Sequence, residues 1–252
     1  MSSAEKADEF FCAKVRGMVT AVENYCYPKF SSFLDGRQRR LAEEVLHQMH
    51  CTRYAYEGGS AYAERKMLGV YPDYMEADAL AWPMQVLRFV FHKNYALSHR
   101  DVLGSLMALQ IKRELLGDIY VTEGLAEIVV QESIAEFIRT NVQKIGRVGV
   151  RVETADALTL AAEPKLKALT GTVASFRLDS VLSLATGLSR TKAMELIPAG
   201  KVTVNYLLAD SPSLLLKPQD VISIRGYGKY LLGEEIHMTK KNRYFITIYQ
   251  YL

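Results

Sequence analysis

FRLDSVLSLATGLSRTKAMELIPAGKVTVN, residues 176–205, carries the densest set of local signals in the chain. FRLDSVLSLATG has the spacing of an amphipathic helix and stops at Gly187, a residue that ends helices because it enters the left-handed region without penalty. In SRTKAMELIPAG, Ser189 can cap a second helix and Gly200 can end it. KVTVN then alternates as a strand does. After the polar, proline-containing stretch YLLADSPSLLLKPQD come two more strand patterns, VISIRGYGKYLL and RYFITIYQYL. Two short helices sharing a face, followed by a small sheet, are expected for residues 171–252.

Charge collects at the same end. The chain has 31 Lys and Arg against 28 Asp and Glu, a net +3. From Gly171 to Leu252 the count is 10 against 6, or +4, which leaves 21 against 22, or −1, for residues 1–170. A local cationic excess attracts phosphate through counterion release even on a nearly neutral protein. Arg190 and Lys192 fall at the start of the second helix, where free backbone N–H groups add to the attraction. Arg177 and Arg190 can grip phosphate with a bidentate fork. Lys201 and Asn205 flank the first strand, within reach of backbone or 2′-OH groups. Asp179 reads as structural, a cap or the partner of an arginine.

In order and spacing, Arg177-Leu178-Asp179, Ser189-Arg190-Thr191, Lys201 to Asn205, and Asp220-Val221-Ile222 leading to Arg225-Gly226 resemble the S4 RNA-binding domain, of the α-L type. Its carriers bind structured RNA. The resemblance implies RNA contacts at Arg177, Ser189, Arg190, Thr191, Lys192, Lys201, Asn205, Arg225 and Lys229. Arg190 is expected to stand exposed, so Arg190→Glu should severely weaken RNA or ribosome binding and leave the fold intact.

Upstream, Phe10, Phe11, Val15, Met18, Val19 and Val22 recur at helical spacing, as do Leu41, Val45, Leu46 and Met49. Residues 1–80 are therefore expected to be a helical segment, with Arg37, Arg39 and Arg40 on a solvated face. Residues 81–165 read β-α-β-β-α-β: VLRFVF, a helix from Ser98, IYVTEG, LAEIVVQ, ESIAEFIRTNVQ and VGVRVET. That is the ferredoxin-like arrangement that RNA-recognition domains also use. Phe89 and Phe91 read as core, and LAEIVVQ has no aromatic for base stacking. ADALTLAAEPKLKALTG, residues 155–171, reads as a domain tail and connector. The fold class is α+β, in three parts: 1–80, 81–165 and 171–252.

HRDVLGSLMALQIKRELLGDIYV (residues 99–121), GGSAYAERKML (58–68) and the C-terminal module together resemble the YlmH family of bacterial S4 proteins. The resemblance implies an RNA-binding adaptor on the large ribosomal subunit, with ribosomal RNA and tRNA as partners, in ribosome-associated quality control of stalled nascent chains, alongside a protein quality-control factor. It also carries an association with cell division, and a related cyanobacterial and plastid branch is linked to photosystem II. Arg100, Arg113, Gly117 and Asp118 belong to the upstream motif. Their reading is structural, with Arg113 the best exception; Gly117-Asp118 suits a tight turn.

Chemistry is sparsely marked. Cys12, Cys26 and Cys51 are odd in number and form no CxxC, which points to reduced thiols rather than disulfides or structural zinc. HQMHC sets His47, His50 and Cys51 on adjacent helical turns, but His92, His99 and His237 are scattered and tetrahedral zinc needs about four ligands. No GxSxG, GxxxxGK[ST] or GxGxxG occurs. With no apolar run of about eighteen residues and a polar start, MSSAEKADEFF, the chain reads as soluble and cytoplasmic, with no membrane partner. The expectation is a non-enzymatic RNA-binding protein without cofactor or metal. The rivals are an S4-linked RNA-modifying enzyme, whose catalytic part would be the first 170 residues, and a ribosome assembly factor.

Overall fold

Helix α1 (Ser3–Tyr25) buries Val15, Val19 and Val22, a single stripe at helical spacing. It is followed by β1 (Lys29–Leu34), then α2 (Gly36–Gln48). Helix α2 starts where it does because Asp35 accepts a hydrogen bond from the Gln38 N–H while the Gln38 side chain accepts from the Asp35 N–H, at 2.8 and 3.0 Å. Strands β2 (Tyr54–Glu57) and β3 (Lys66–Val70) complete a three-stranded antiparallel sheet in the order β1-β3-β2. Residues 1–80 are therefore not helical throughout. The strands run only 6, 4 and 5 residues, too short for a period-two pattern to stand out beside two long helical stripes. Helix α2 also ends at Gln48 and His50 takes a φ of 52°, so His47, His50 and Cys51 do not share a helix face.

The computed structural model describes residues 3–161, 163–239 and 243–252. They fall into two units, Met1–Ala162 and Glu163–Leu252.

The rest of the first unit contains β4 (Met84–Val90), α3 (His99–Ala108), β5 (Leu116–Thr122), β6 (Leu125–Gln131), α4 (Glu132–Asn141), the two-residue strands β7 (Lys144–Ile145) and β8 (Val148–Gly149), and β9 (Arg151–Ala155). This is the expected β-α-β-β-α-β order with a small added hairpin. The sheet is antiparallel in the order β5-β6-β4-β9. Alternation along its strands separates two cores. Leu87, Phe89, Ile128 and Val130 face α3 and α4, where they meet Val102, Leu106 and Ile138. Phe89 and Phe91 are both buried, as their sequence context suggested.

On the opposite face, Val86, Val129 and Ala155 pack against Phe33 of β1 and Met67 of β3. The N-terminal sheet thus covers the helix-free face and belongs to the same unit. Gly117 permits this approach: a Cβ there would lie 3.0 Å from the Phe33 ring and 3.1 Å from the Val129 carbonyl oxygen. Beside this contact Glu127, fully buried, accepts from Arg88 Nε (2.8 Å), the Thr159 hydroxyl (2.8 Å) and the N–H groups of Thr159 (2.7 Å) and Leu160 (2.8 Å). Residues 159–160 are strapped to the sheet by this one carboxylate. The first part of the stretch read as a connector is therefore part of the first unit.

Its last part is a strand of the second unit, β10 (Leu166–Val173), which precedes α5 (Leu178–Thr186), α6 (Arg190–Glu195), β11 (Val202–Val204), β12 (Leu207–Leu208), β13 (Val221–Ile224), β14 (Gly228–Met238) and β15 (Tyr244–Tyr251). Six strands form an antiparallel sheet ordered β10-β15-β14-β13-β11-β12, larger than the small sheet expected. β10 escapes a sequence reading because Lys167, Ala168 and Gly171, residues that strands disfavour, break up LKALTGTV; its pairing with β15 along all eight residues makes it a strand. Val181, Leu182 and Ala193 from the helices close the core over Val202, Ile222, Leu232, Ile246 and Ile248.

Candidate nucleic-acid interface

Helices α5 and α6 are joined by Gly187, at φ 70°, and Ser189 caps α6 by accepting from the Lys192 N–H at 3.4 Å. Both features follow the sequence. α6 is only six residues long, so its dipole is weak and the positive field at this end comes from side chains.

Arg177 and Arg190 do not stand free. Asp179 is 1% exposed and takes hydrogen bonds from Arg177 Nε and Nη2 (3.3 and 3.2 Å) and from Arg190 Nη2 (3.0 and 2.9 Å to its two oxygens). Burial of Asp179 works against its charge, but these hydrogen bonds and the two guanidinium charges outweigh it and hold its carboxyl below the usual carboxylate range. The trio keeps a net positive charge, and half of the Arg190 side chain stays in solvent, with Nε and Nη1 making no hydrogen bond among the described residues. Asp179 therefore aims two guanidinium groups instead of quenching them. Arg190→Glu would set a second carboxylate against a buried one, so it is not a fold-neutral substitution, contrary to the expectation from sequence.

Arg190 also lines a pocket of about 430 Å³ walled by Thr172, Val173, Ser180, Ser183, Leu184 and Arg243. Arg243 donates to the Thr172 carbonyl at 2.7 Å and is exposed. The two guanidinium groups suit a phosphate group, while the Ser180 and Ser183 hydroxyls already donate to Asp179 and to the Leu188 carbonyl. Arg243 was missed from sequence; the run KKNR at 240–243 is its only local signal, and Lys240 and Lys241 lie outside the described residues.

The other predicted residues fall into separate groups. Thr191 and Lys192 are exposed on the first turn of α6. Lys201 and Arg225, both exposed, are brought together by the β11–β13 ladder, the Arg225 N–H donating to the Lys201 carbonyl at 2.8 Å. Lys229, on β14, lies over the rings of Tyr206 and Tyr251 at 5.4 and 4.8 Å. Asn205 is committed to the fold: its amide donates to Asp220 at 2.7 Å and accepts from the Val221 N–H at 2.9 Å, with φ 48°. Both ends of this side chain hold the turn together, so its first role is structural rather than the 2′-OH contact expected of it.

The upstream motif is a joint. Asp118 accepts from the N–H groups of Glu64 and Arg65, at 2.6 and 3.3 Å. Arg65 in turn donates to the carbonyls of Leu116, Phe33 and Arg113, and Arg113 donates to those of Leu116 and Gly117. Burial, with the nearby Arg65 charge, pushes Arg113 down to about 10. Residues 58–68 and 113–118 are thus two halves of one structural contact, and Arg113 is no exception. Arg100 is exposed on the first turn of α3.

Among the described residues no group of three His, Cys, Asp or Glu side chains is placed to hold a metal ion, and no helix is long and apolar enough to cross a membrane.

Two family models match the chain: "Putative RNA-binding domain in YlmH" over residues 82–159 and "S4 domain" over residues 176–222. The chain is 30% identical over 223 residues, 87% of its own length and 86% of the relative's, to the "Ribosome-associated protein quality control protein P2" of Bacillus subtilis (strain 168). A solved structure, "Cell division protein ylmH from Streptococcus pneumoniae", shares its fold with a TM-score of 0.51 at 24% identity, covering 62% of this chain and 93% of that one. With both domains matched in order and most of its length aligned to such a relative, the chain belongs to the YlmH family of S4-domain RNA-binding proteins.

Proposed function

We propose that this protein is a non-catalytic RNA-binding adaptor that engages ribosomal RNA, and tRNA, on the large ribosomal subunit during quality control of stalled nascent chains. The observation that carries the reading is the pair Arg177 and Arg190, aimed by one buried carboxylate at the start of an S4-matched helix pair. Further phosphate and sugar contacts are assigned to Ser189, Thr191 and Lys192 at the start of the same helix, to the separate groups Lys201 with Arg225 and Lys229, and to Arg243. The Bacillus subtilis relative's name supports the ribosomal setting. Such contacts position a structured RNA by its backbone rather than reading its sequence.

Sucrose-gradient co-sedimentation of wild type and Lys192→Glu/Lys201→Glu with ribosomal subunits tests this. Both side chains are exposed and neither is tied to Asp179, so the substitutions should spare the fold. Wild type should travel with large subunits carrying tRNA and the double variant should stay at the top. The salt dependence of binding should also flatten, by about 0.9 in the log–log slope for each phosphate contact removed. Absence of wild type from every ribosomal peak would overturn the reading.

A further inference from the structure

The helix-free face of the β5-β6-β4-β9 sheet is closed by Phe33 and Met67 and by the strap at Thr159 and Leu160. An RNA that meets residues 82–159 must therefore use another surface. The antiparallel order gathers three connections at one end of that sheet: residues 91–98, 123–124 and 142–150, with Val90 in register with both Leu125 and Arg151. Together with the first turn of α3 they carry Lys93, Arg100, Lys144 and Arg147 against Asp101 and Glu123. All four cations are exposed, and none forms a salt bridge among the described residues. At the other end, residues 109–115, 131–132 and 156–158 carry Lys112 and Arg113 against Glu114, Glu132 and Asp156, and Arg113 is already spent on carbonyls. Cations outnumber carboxylates at the first end and are outnumbered at the second.

That end also offers rings. Tyr95 is 53% exposed and stands edge-on to His92, with centroids 6.5 Å apart. The turn holding them is closed by the Tyr95 N–H on the His92 carbonyl (3.0 Å) and the Asn94 N–H on His92 Nδ1 (3.2 Å). Lys93 lies across Gly124, where a Cβ would come within 2.9 Å of its Cγ. The 142–150 connection is pinned to α3 by the Gly146 N–H on the Ser105 hydroxyl, 3.2 Å. Charges and rings are thus presented from backbone already held in place, which lowers the ordering cost of binding.

We infer that this loop end is a second RNA contact, distinct from the S4 edge, and that it takes unpaired nucleotides. Cations with an exposed aromatic suit a strand whose phosphates are reachable and whose bases are free to stack; a duplex hides the base faces and leaves Tyr95 without a partner. The inference rests on the RNA-binding reading of the chain and adds the class of RNA and its place.

The test uses the full chain and two fluorescently labelled probes, a single-stranded oligoribonucleotide and a blunt stem-loop. Tyr95→Ala/Lys93→Glu/Arg147→Glu should bind the single strand about tenfold more weakly or worse, the loss of at least one stacked base, and bind the stem-loop as wild type does. Lys192→Glu/Lys201→Glu should do the reverse. Unchanged single-strand binding by the loop-end variant, or loss of it in the S4 variant, would overturn the second contact. So would capture of an acidic peptide, but not RNA, through the same residues. Failure of wild type on the stem-loop would instead sink the S4 reading and leave the single-strand result to decide this one.

Discussion

Asp179 shows how one residue sets the chemistry of a surface that it does not itself present. Its carboxylate is buried, yet it fixes the direction of two half-exposed guanidinium groups, much as an outer carboxylate orients a metal ligand. Asp179→Asn should lower stability by about 1–3 kcal/mol and weaken stem-loop binding, because one oxygen and the charge holding both arginines are lost. Chemical denaturation and anisotropy would read the two effects. Since folding depresses this carboxyl, its contribution is present above the ordinary carboxylate value of 3.8 and disappears as pH falls through the lower folded value. A wild-type stability curve identical to that of Asp179→Asn down to acid pH would contradict this. Gly117→Ala tests packing at the same scale: the added methyl meets the Phe33 ring and the Val129 carbonyl, and should cost about 1–3 kcal/mol in urea unfolding.

At the level of elements, the sheet that would bind RNA by its open face in an RNA-recognition domain has no open face here. Two short strands cover it, and a strap held by Glu127 flanks them. The Glu127 carboxyl lies below its usual range: burial opposes its charge, and hydrogen bonds from Leu160, Arg88 and Thr159 prevail. Its stabilisation is therefore complete above the ordinary value of 4.5 and fades as pH drops through the folded value. Glu127→Gln should free residues 159–160, seen as faster hydrogen exchange at the Thr159 and Leu160 amides, while the β4–β6 ladder stays protected. Equal protection of those amides in the variant would show that the strap is held by something else. The helices and the β-α-β-β-α-β order could be read from the chain, because each has ten-residue periodicity or a capping pair such as Ser98 and Asp101. The N-terminal strands β1 to β3 could not, since four to six residues give little period-two pattern beside two long helical stripes, and only pairing distinguishes them from loops.

For the whole molecule, the two units have separate cores: among the described residues, that of residues 163–252 begins at Val173 and its partly buried fringe at Leu169. A fragment of residues 163–252 should therefore unfold cooperatively by itself and keep stem-loop binding with its steep salt dependence. Circular dichroism melting and anisotropy across a salt series would check both, and a fragment without a melting transition would refute independence. By itself the sequence determined the S4 helix pair, the stop at Gly187 and the cap at Ser189, its basic character and the α+β class, because these depend on neighbours a few residues apart; the second helix ends at Glu195, not at Gly200 as its sequence suggested. Only the tertiary structure decided that Asp179 holds both arginines, that Asn205 is consumed in a turn, that Arg243 joins Arg190 at one pocket, and that the N-terminal strands close the sheet. Those outcomes join residues from separate elements, Asp179 with Arg190 eleven positions on, Asn205 with Asp220 fifteen on, and the N-terminal strands with a sheet much further along the chain, and burial and charge pairing between elements leave no local pattern to read.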